Sequence, residues 1–215
     1  MSDLFNKENS SDALEAPLAD RMRPQSLDEV IGQNHLLGEE GPLQNMITSG
    51  IFSSIILWGP TGVGKTTIAR LLADHSNSHF EQISAIFTGV GDLKKVFEAA
   101  KFRRTNGHKT VIFVDEIHRF NKSQQDSFLP FLEDGTIILI GATTENPSFE
   151  LNPAILSRVQ VLVLERLNNT DLKKLLDRAE TILGSKINLD LDAKIELLKI
   201  ADGDGRALLN LIENI

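Results

Sequence analysis

The segment Gly59–Thr66, read as Gly-Pro-Thr-Gly-Val-Gly-Lys-Thr, constrains the fold more than any other part of the chain. It matches the pattern G-x-x-x-x-G-K-[ST], and it lies between a short apolar segment, Ile55–Trp58, and a helical pattern. Glycines let the chain curl so that several backbone N–H groups face one anion, and the following helix points its positive end at that anion. The sequence therefore predicts a loop that binds a nucleoside triphosphate. The alternative is a glycine-rich strand-to-helix turn without a ligand.

The side chains of this loop have distinct expected roles. Lys65 would bridge the β- and γ-phosphates of ATP, and Thr66 would hold Mg²⁺. The other members of the expected ATP-binding set in this region are Gly59, Pro60, Thr61, Gly62, Val63, Gly64 and Thr67.

Two acidic residues, Asp115 and Glu116, follow the apolar segment Val111–Val114. A buried parallel strand delivers such residues to its carboxyl end, where ligands bind in open α/β sheets. Asp115 would orient Mg²⁺, largely through water, and Glu116 would act as the general base toward an attacking water. The alternative is a pair of solvated acids at an exposed strand end, and the upstream phosphate loop argues against it.

Five apolar segments predict a buried parallel sheet, because strands that are apolar on both faces are typical of sheets covered by helices. They are Ile55–Trp58, Phe80–Ile83, Val111–Val114, Ile137–Ile140 and Val159–Leu164. After Leu167 only helical patterns remain, and the last one continues to the C-terminus. We expect an α/β nucleotide-binding domain with helices on both faces of the sheet over residues 17–167. A small, incomplete helical lid over residues 168–215 and a disordered tail over residues 1–16 complete the expected organisation.

Composition excludes several classes of protein. The chain has a net charge of −8 and no cysteine, so it is neither a basic DNA-coating protein nor a disulfide scaffold. It has no apolar run of transmembrane length and no secretory signal, and the expected location is cytoplasmic without membrane contact. Residues 94–109 hold six basic residues and one acid. This stretch is interpreted either as part of a DNA path or as a solvated helix face.

Three further polar features are weaker candidates. The segment Gly141–Asn146 follows an apolar strand and would hold the attacking water or sense the γ-phosphate, although a polar turn has the same composition. Arg158 follows a short helix, where a cation offsets the helix dipole without any other function. Arg206 opens the final helix, where a cation opposes the dipole, and such conflicts tend to mark sites. His35, His108 and His118 lack metal-ligand spacing and are interpreted as structural.

Taken together and in this order, these motifs resemble the AAA+ ATPases of the clamp-loader branch. Within that branch the sequence is similar to the replication-associated recombination protein A (RarA/MgsA) family. The resemblance extends from about Pro17 to Ile215 and is carried by the segments Leu18–Pro24, Ile31–Leu37, Ile56–Gly59, Asp115–Asp126 and Ile140–Leu151.

The resemblance implies roles for individual residues. Thr144 falls at the sensor 1 position, Arg206 at sensor 2 on the lid, and Arg158 at the arginine finger that acts on the ATP of a neighbouring subunit. Val30 and Ile31 fall where such ATPases pack the adenine. The family implies a DNA-dependent ATPase acting at stalled or gapped replication forks, near single-stranded-DNA-binding protein.

The sequence departs from the family at two points. The loop reads Pro-Thr-Gly-Val at residues 60–63, where the family usually has Pro-Pro-Gly-Thr. The family also carries a further helical region that makes it oligomeric. The sequence is expected to end before that region, so self-association is expected to be weaker here. Two other functions stay open: a protein-remodelling AAA+ ATPase, for which Ile86–Gly89 is a weak match to a pore loop, and a nucleotide-binding remnant that does not hydrolyse ATP.

Overall fold

A computed structural model describes residues 16–215, and it contains one sheet of five parallel strands in the order β2-β3-β4-β1-β5. The strands are β1 (Ile55–Trp58), β2 (His79–Ser84), β3 (Thr110–Asp115), β4 (Ile137–Thr143) and β5 (Gln160–Val163). The predicted five-stranded parallel sheet is confirmed, although β4 extends three residues further than predicted. The predicted disordered tail lies outside the described residues, apart from Ala16.

Twelve α-helices and two short 3₁₀ turns occur in the described part of the chain. The turns are Leu27–Glu29 and Ile117–Arg119. The helices are α1 (Leu18–Arg21), α2 (Asn34–Leu37), α3 (Pro42–Ser49), α4 (Lys65–His75), α5 (Val90–Thr105), α6 (Lys122–Asp126), α7 (Leu129–Glu133), α8 (Pro147–Glu150), α9 (Pro153–Leu156), α10 (Asn169–Leu183), α11 (Leu191–Ala201) and α12 (Gly205–Glu213). None of them is long and apolar enough to cross a bilayer.

Both faces of the sheet are covered, because successive strand residues point to opposite sides. Leu57 on β1 packs in the cluster that includes Ile68 and Leu72 of α4. Its neighbour Ile56 belongs to the opposite cluster, with Leu93 of α5. All five side chains are buried. The nearly unbroken apolar character of the central strands is thus explained by helices on both sides.

The three C-terminal helices pack around a third cluster that also holds Leu18 and Met22 from the N-terminal segment. Each of these helices begins with an N-cap side chain: Asn168, Asp190 and Asp204 accept backbone N–H groups at the starts of α10, α11 and α12. At the start of α10 the cap is Asn168 and not the adjacent Asn169, which offers the same chemistry. The boundary between residues 167 and 168 stays a prediction.

The strand order decides where the functional loops meet. β4 lies between β1 and β3, with Trp58 opposite Thr143. The carboxyl ends of all three strands share one edge of the sheet, since the strands are parallel. The phosphate loop after β1 and the acids that end β3 therefore lie on either side of Thr143.

Candidate active site

A cavity of about 390 Å³ lies at this edge, and most of the predicted site residues line it. The phosphate loop contributes Thr61–Thr67, the N-terminal segment contributes Val30 and Ile31, and the strand edge contributes Asp115 and Glu116. Arg206 reaches the same cavity from α12. Four of the predicted residues do not line it: Gly59, Pro60, Thr144 and Arg158.

The loop requires glycine at two positions. Gly62 and Gly64 have φ angles of +66° and +98°, a region that side chains with a Cβ rarely adopt. At Gly62 a Cβ would also collide with the carboxylate of Asp204. The loop therefore has two positions that glycine alone accommodates without strain, and Gly64 is the N-cap of α4.

Lys65 is buried beneath the loop. Its Nζ donates to the carbonyl oxygens of Gly59 and Pro60 over 2.8 and 2.6 Å. Burial lowers the pKa of the Lys65 ammonium below its ordinary value, and the nearby carboxylates of Glu116 and Asp115 partly oppose that shift. Lys65 is thus a cation with limited solvation, placed at the base of the cavity.

Glu116 follows β3 with a left-handed backbone, φ +52° and ψ +48°. One oxygen of its carboxylate, Oε2, lies 3.3 Å from Nδ1 of His118. The same Nδ1 lies 2.9 Å from Oγ1 of Thr143, the last residue of β4. The interpretation of His118 as a structural histidine therefore missed its contact with the predicted base. Sequence spacing carries no signal for the contact between His118 and Thr143, since these residues are 25 positions apart.

The C-terminal helices contact the phosphate loop directly. The hydroxyl of Thr61 donates to Oδ2 of Asp204 over 2.7 Å, and the backbone N–H of Gly205 donates to the carbonyl oxygen of Gly62 over 3.1 Å. Arg206 follows immediately on α12. These bonds set the position of Arg206 relative to the loop.

Val30 and Ile31 lie between two polar links to other parts of the fold. On one side, Arg178 of α10 donates to the carboxylate of Glu29 over 2.6 Å. On the other side, Gln33 exchanges two hydrogen bonds with the backbone of Glu165, at 2.7 and 3.0 Å. The apolar wall of the cavity is therefore held by contacts that span more than 130 residues of sequence.

Arg158 lies away from the cavity, at the end of α9. It donates to the carbonyl oxygen of Ala154 over 2.7 Å and pairs with Glu133 over 2.5 Å. This is the geometry of a helix-end cation. Thr144 directly follows β4.

The basic stretch at residues 94–109 is partly engaged in contacts within the chain. Arg103 pairs with Glu81, and Arg104 pairs with Asp134, both at 3.3 Å. Lys101 lies over the ring of Phe131. These contacts favour the interpretation as an outer helix face over a DNA path.

The fold and the site define a nucleoside triphosphatase of the P-loop class. In this strand order, a strand, a glycine loop and a helix lie beside two acids at the end of a neighbouring strand. The model of the ATPase family associated with various cellular activities (AAA) matches residues 55–167, slightly more than half of the chain. The chain belongs to this AAA family of ATPases.

Among curated proteins, the chain is 50% identical over 204 residues to replication-associated recombination protein A of Coxiella burnetii, covering 93% of this chain and 46% of that protein. It is 47% identical over 208 residues to the protein of that name from Escherichia coli (strain K12), covering 94% of this chain and 46% of that protein. The predicted resemblance is confirmed, and the chain spans about half the length of these relatives.

Solved structures include a similar fold in RuvB of Thermotoga maritima, described as a Holliday junction branch migration motor. The TM-score is 0.74 at 27% identity, covering 89% of this chain and 64% of that one. The likeness extends beyond the region that the AAA family model matches.

Proposed function

We propose that this chain forms the ATP-binding and ATP-hydrolysing part of a DNA-dependent ATPase that acts in replication-fork maintenance or recombination. The observation that carries the proposal is one cavity lined by the phosphate loop, both strand-end acids and Arg206. The names of the relatives support the link to replication and recombination.

ATP fits this cavity with its adenine against Val30 and Ile31 and its phosphates on the loop. The backbone N–H groups of the loop and the N-terminus of α4 face the phosphates. Lys65 reaches the β- and γ-phosphates by leaving the carbonyl oxygens of Gly59 and Pro60. The phosphate charge then compensates for the burial of its ammonium, so ligand binding and the charge of Lys65 support each other.

Mg²⁺ suits the oxygen donors that the cavity presents. Thr66 in the first turn of α4 and Asp115 at the end of β3 both line it, and hydroxyl, carboxylate and water oxygens are preferred Mg²⁺ ligands. A bound Mg²⁺ would neutralise charge on the β- and γ-phosphate oxygens. Glu116 removes a proton from the water that attacks the γ-phosphate.

Three residues complete the proposal. Thr144 senses the γ-phosphate from the end of β4, and Arg206 contacts the phosphates from the lid. Arg158 acts on the ATP of a neighbouring subunit, which requires a head-to-tail contact between copies. DNA, single-stranded-DNA-binding protein and further copies of the chain are the proposed partners, in a cytoplasmic setting without membrane contact.

Glu116→Gln provides the test, because an amide accepts no proton from water. We expect ATP affinity to stay within twofold of wild type, while turnover falls by about 100-fold or more. Glu98→Gln on the exposed face of α5 is the matched control. Turnover is measured with and without forked DNA. Equal turnover for Glu116→Gln and wild type would exclude Glu116 as the base, and turnover unaffected by DNA would exclude the DNA-dependent function.

One observation favours protein remodelling as a second candidate. Phe87, in the segment Ile86–Gly89 after β2, is 86% exposed. An exposed aromatic residue in a loop is suited to binding a polypeptide substrate. Stimulation of ATP turnover by an unfolded polypeptide and not by DNA would select this function, and Phe87→Ala would then abolish the stimulation.

A further inference from the structure

The carboxylate of Glu116 lies next to His118, which contacts Thr143 in turn, and neither of these two side chains lines the cavity. His118 and Thr143 lie outside the lining, whereas Glu116 lies within it. The His118 side chain is only 12% exposed, and its Nδ1 faces both Oε2 of Glu116 and Oγ1 of Thr143. These side-chain contacts connect the two residues to the cavity through Glu116.

The protons in this cluster can be assigned from donor and acceptor capacity. Oε2 of Glu116 lies 3.3 Å from Nδ1 of His118, and an ionised carboxylate only accepts hydrogen bonds, so this contact favours a proton on Nδ1. Oγ1 of Thr143 accepts the backbone N–H of Glu145 over 3.0 Å, and its own proton points to the carbonyl oxygen of Glu145 over 3.3 Å. With the Thr143 proton directed at Glu145, His118 donates and Thr143 accepts in the 2.9 Å hydrogen bond between them, and Oε2 of Glu116 lies 3.3 Å from the same Nδ1.

The backbone shows why Glu116 needs this support. A left-handed conformation is uncommon in residues other than glycine and persists only where the surroundings hold it. Glu116 lies beyond the end of β3, as the N-cap of the 3₁₀ turn Ile117–Arg119, so the strand does not set the direction of its side chain. His118 lies against one side of the carboxylate, with Nδ1 3.3 Å from Oε2, and the hydrogen bond with Thr143 orients the imidazole.

We propose that His118 is a positioning residue for Glu116, and that Thr143 fixes its Nδ1–H tautomer at the end of β4. The inference rests on the proposed role of Glu116 as the base. It assigns Thr143 a task different from the one proposed for the adjacent Thr144, because Thr143 orients the base through His118. Loss of the link slows hydrolysis and leaves ATP binding intact.

The tautomer is tested first, because that measurement needs no turnover. We expect ¹⁵N NMR of the histidine side chains in the full 215-residue chain to show the proton of His118 on Nδ1. Glu116→Gln should shift that signal, and Glu98→Gln should not. A neutral His118 protonated on Nε2, or a signal that ignores Glu116→Gln, would overturn the inference whether or not the chain hydrolyses ATP.

Conservative variants then separate positioning from packing. His118→Asn keeps an N–H donor near the place of Nδ1, and Thr143→Ser keeps the hydroxyl. His118→Leu and Thr143→Val remove these groups at similar volume. We expect the rate of single-turnover hydrolysis to fall on the order of 10- to 100-fold in His118→Leu and Thr143→Val, as for other residues that orient a functional group. The rate should recover in His118→Asn and Thr143→Ser. ATP affinity should stay within twofold in all four.

The outcomes distinguish this inference from the function on which it rests. Full activity in His118→Leu together with an inactive Glu116→Gln would refute the positioning role and leave the base in place. Full activity in Glu116→Gln would refute the proposed base itself. His108→Asn, in an exposed loop, controls for the general effect of replacing a histidine.

Discussion

The hydroxyl of Thr61 donates to the carboxylate of Asp204 over 2.7 Å, across 143 residues of sequence. Thr61 lies in the phosphate loop, so the contact depends on a side chain of the loop itself. The other carboxylate oxygen of Asp204 accepts the backbone N–H of Ala207 and caps α12. One side chain thus joins the phosphate loop to the helix that carries Arg206.

Removal of the Asp204 side chain should lower the free energy of unfolding more than removal of an ordinary helix cap does. Asp204→Ala loses both the cap and the bond to Thr61, and we expect the free energy of unfolding to fall by roughly 2 kcal/mol. Asp190→Ala removes a cap of the same kind from α11 and should cost roughly 1 kcal/mol. Urea unfolding measures both. Equal losses, or no coupling between Thr61→Val and Asp204→Ala in a double-mutant cycle, would show that the contact with the loop is not stabilising.

Lys65→Ala should abolish ATP binding, because it removes the cation that faces the β- and γ-phosphates. The same change should not destabilise the fold greatly, since it also removes a buried ammonium. Lys122→Ala, on an exposed part of α6, is the control for loss of one positive charge. Titration with a fluorescent ATP analogue measures the affinity. Unchanged affinity in Lys65→Ala would contradict the assignment of the phosphate loop.

Arg158 should act between subunits. Arginine fingers contribute on the order of 10³–10⁵ in rate in related phosphoryl-transfer systems. The chain alone should therefore hydrolyse ATP slowly, and its specific activity should rise with protein concentration. Arg158 must leave Glu133 to reach a neighbouring nucleotide, since the two side chains are paired.

A mixing experiment measures this role. The Arg158→Ala variant retains Glu116 as the base, and the Glu116→Gln variant retains Arg158 as the arginine finger. A mixture of the two variants should therefore regain partial ATP turnover. The matched control mixes Arg158→Ala with the double variant that carries both changes, in which no intact finger remains. Fast turnover of Arg158→Ala that does not depend on concentration would leave Arg158 as a helix-end cation.

The Glu29–Arg178 pair should make stability depend on pH. The hydrogen bond from Arg178, followed by that from the backbone N–H of Gln25, lowers the pKa of Glu29 below its ordinary value of 4.5. The folded state therefore holds this proton less tightly than the unfolded state does. Its stabilising contribution is present above about pH 4.5 and is lost as the pH falls through the lowered value.

Glu29→Gln should weaken the dependence of the free energy of unfolding on pH in this acidic range. Chemical unfolding between roughly pH 3 and pH 6 measures the slope, which we expect to be smaller than in wild type because one linked proton is removed. Glu98→Gln serves as the control. Identical slopes in Glu29→Gln and wild type would show that the pair does not contribute to stability.

Local patterns in the sequence predicted the elements of the site. The glycine loop between Ile55–Trp58 and α4 depends on backbone freedom at a few adjacent positions, and such short-range preferences are visible in a single sequence. The acids after Val111–Val114 were likewise predicted, because a buried strand must end where charged side chains can reach solvent. The five strands followed from their apolar character on both faces.

Only the tertiary structure decided which of these elements meet. The insertion of β4 between β1 and β3 places Thr143 beside His118 and Glu116, and docking of α12 on the loop joins Thr61 to Asp204. Hydrogen bonds of this kind depend on strand order, register and helix position together. A shift of one strand or one helical turn would separate the partners by several ångströms without altering any local pattern. The sequence by itself therefore determined the loop and the acids, whereas the packing determined what holds them in place.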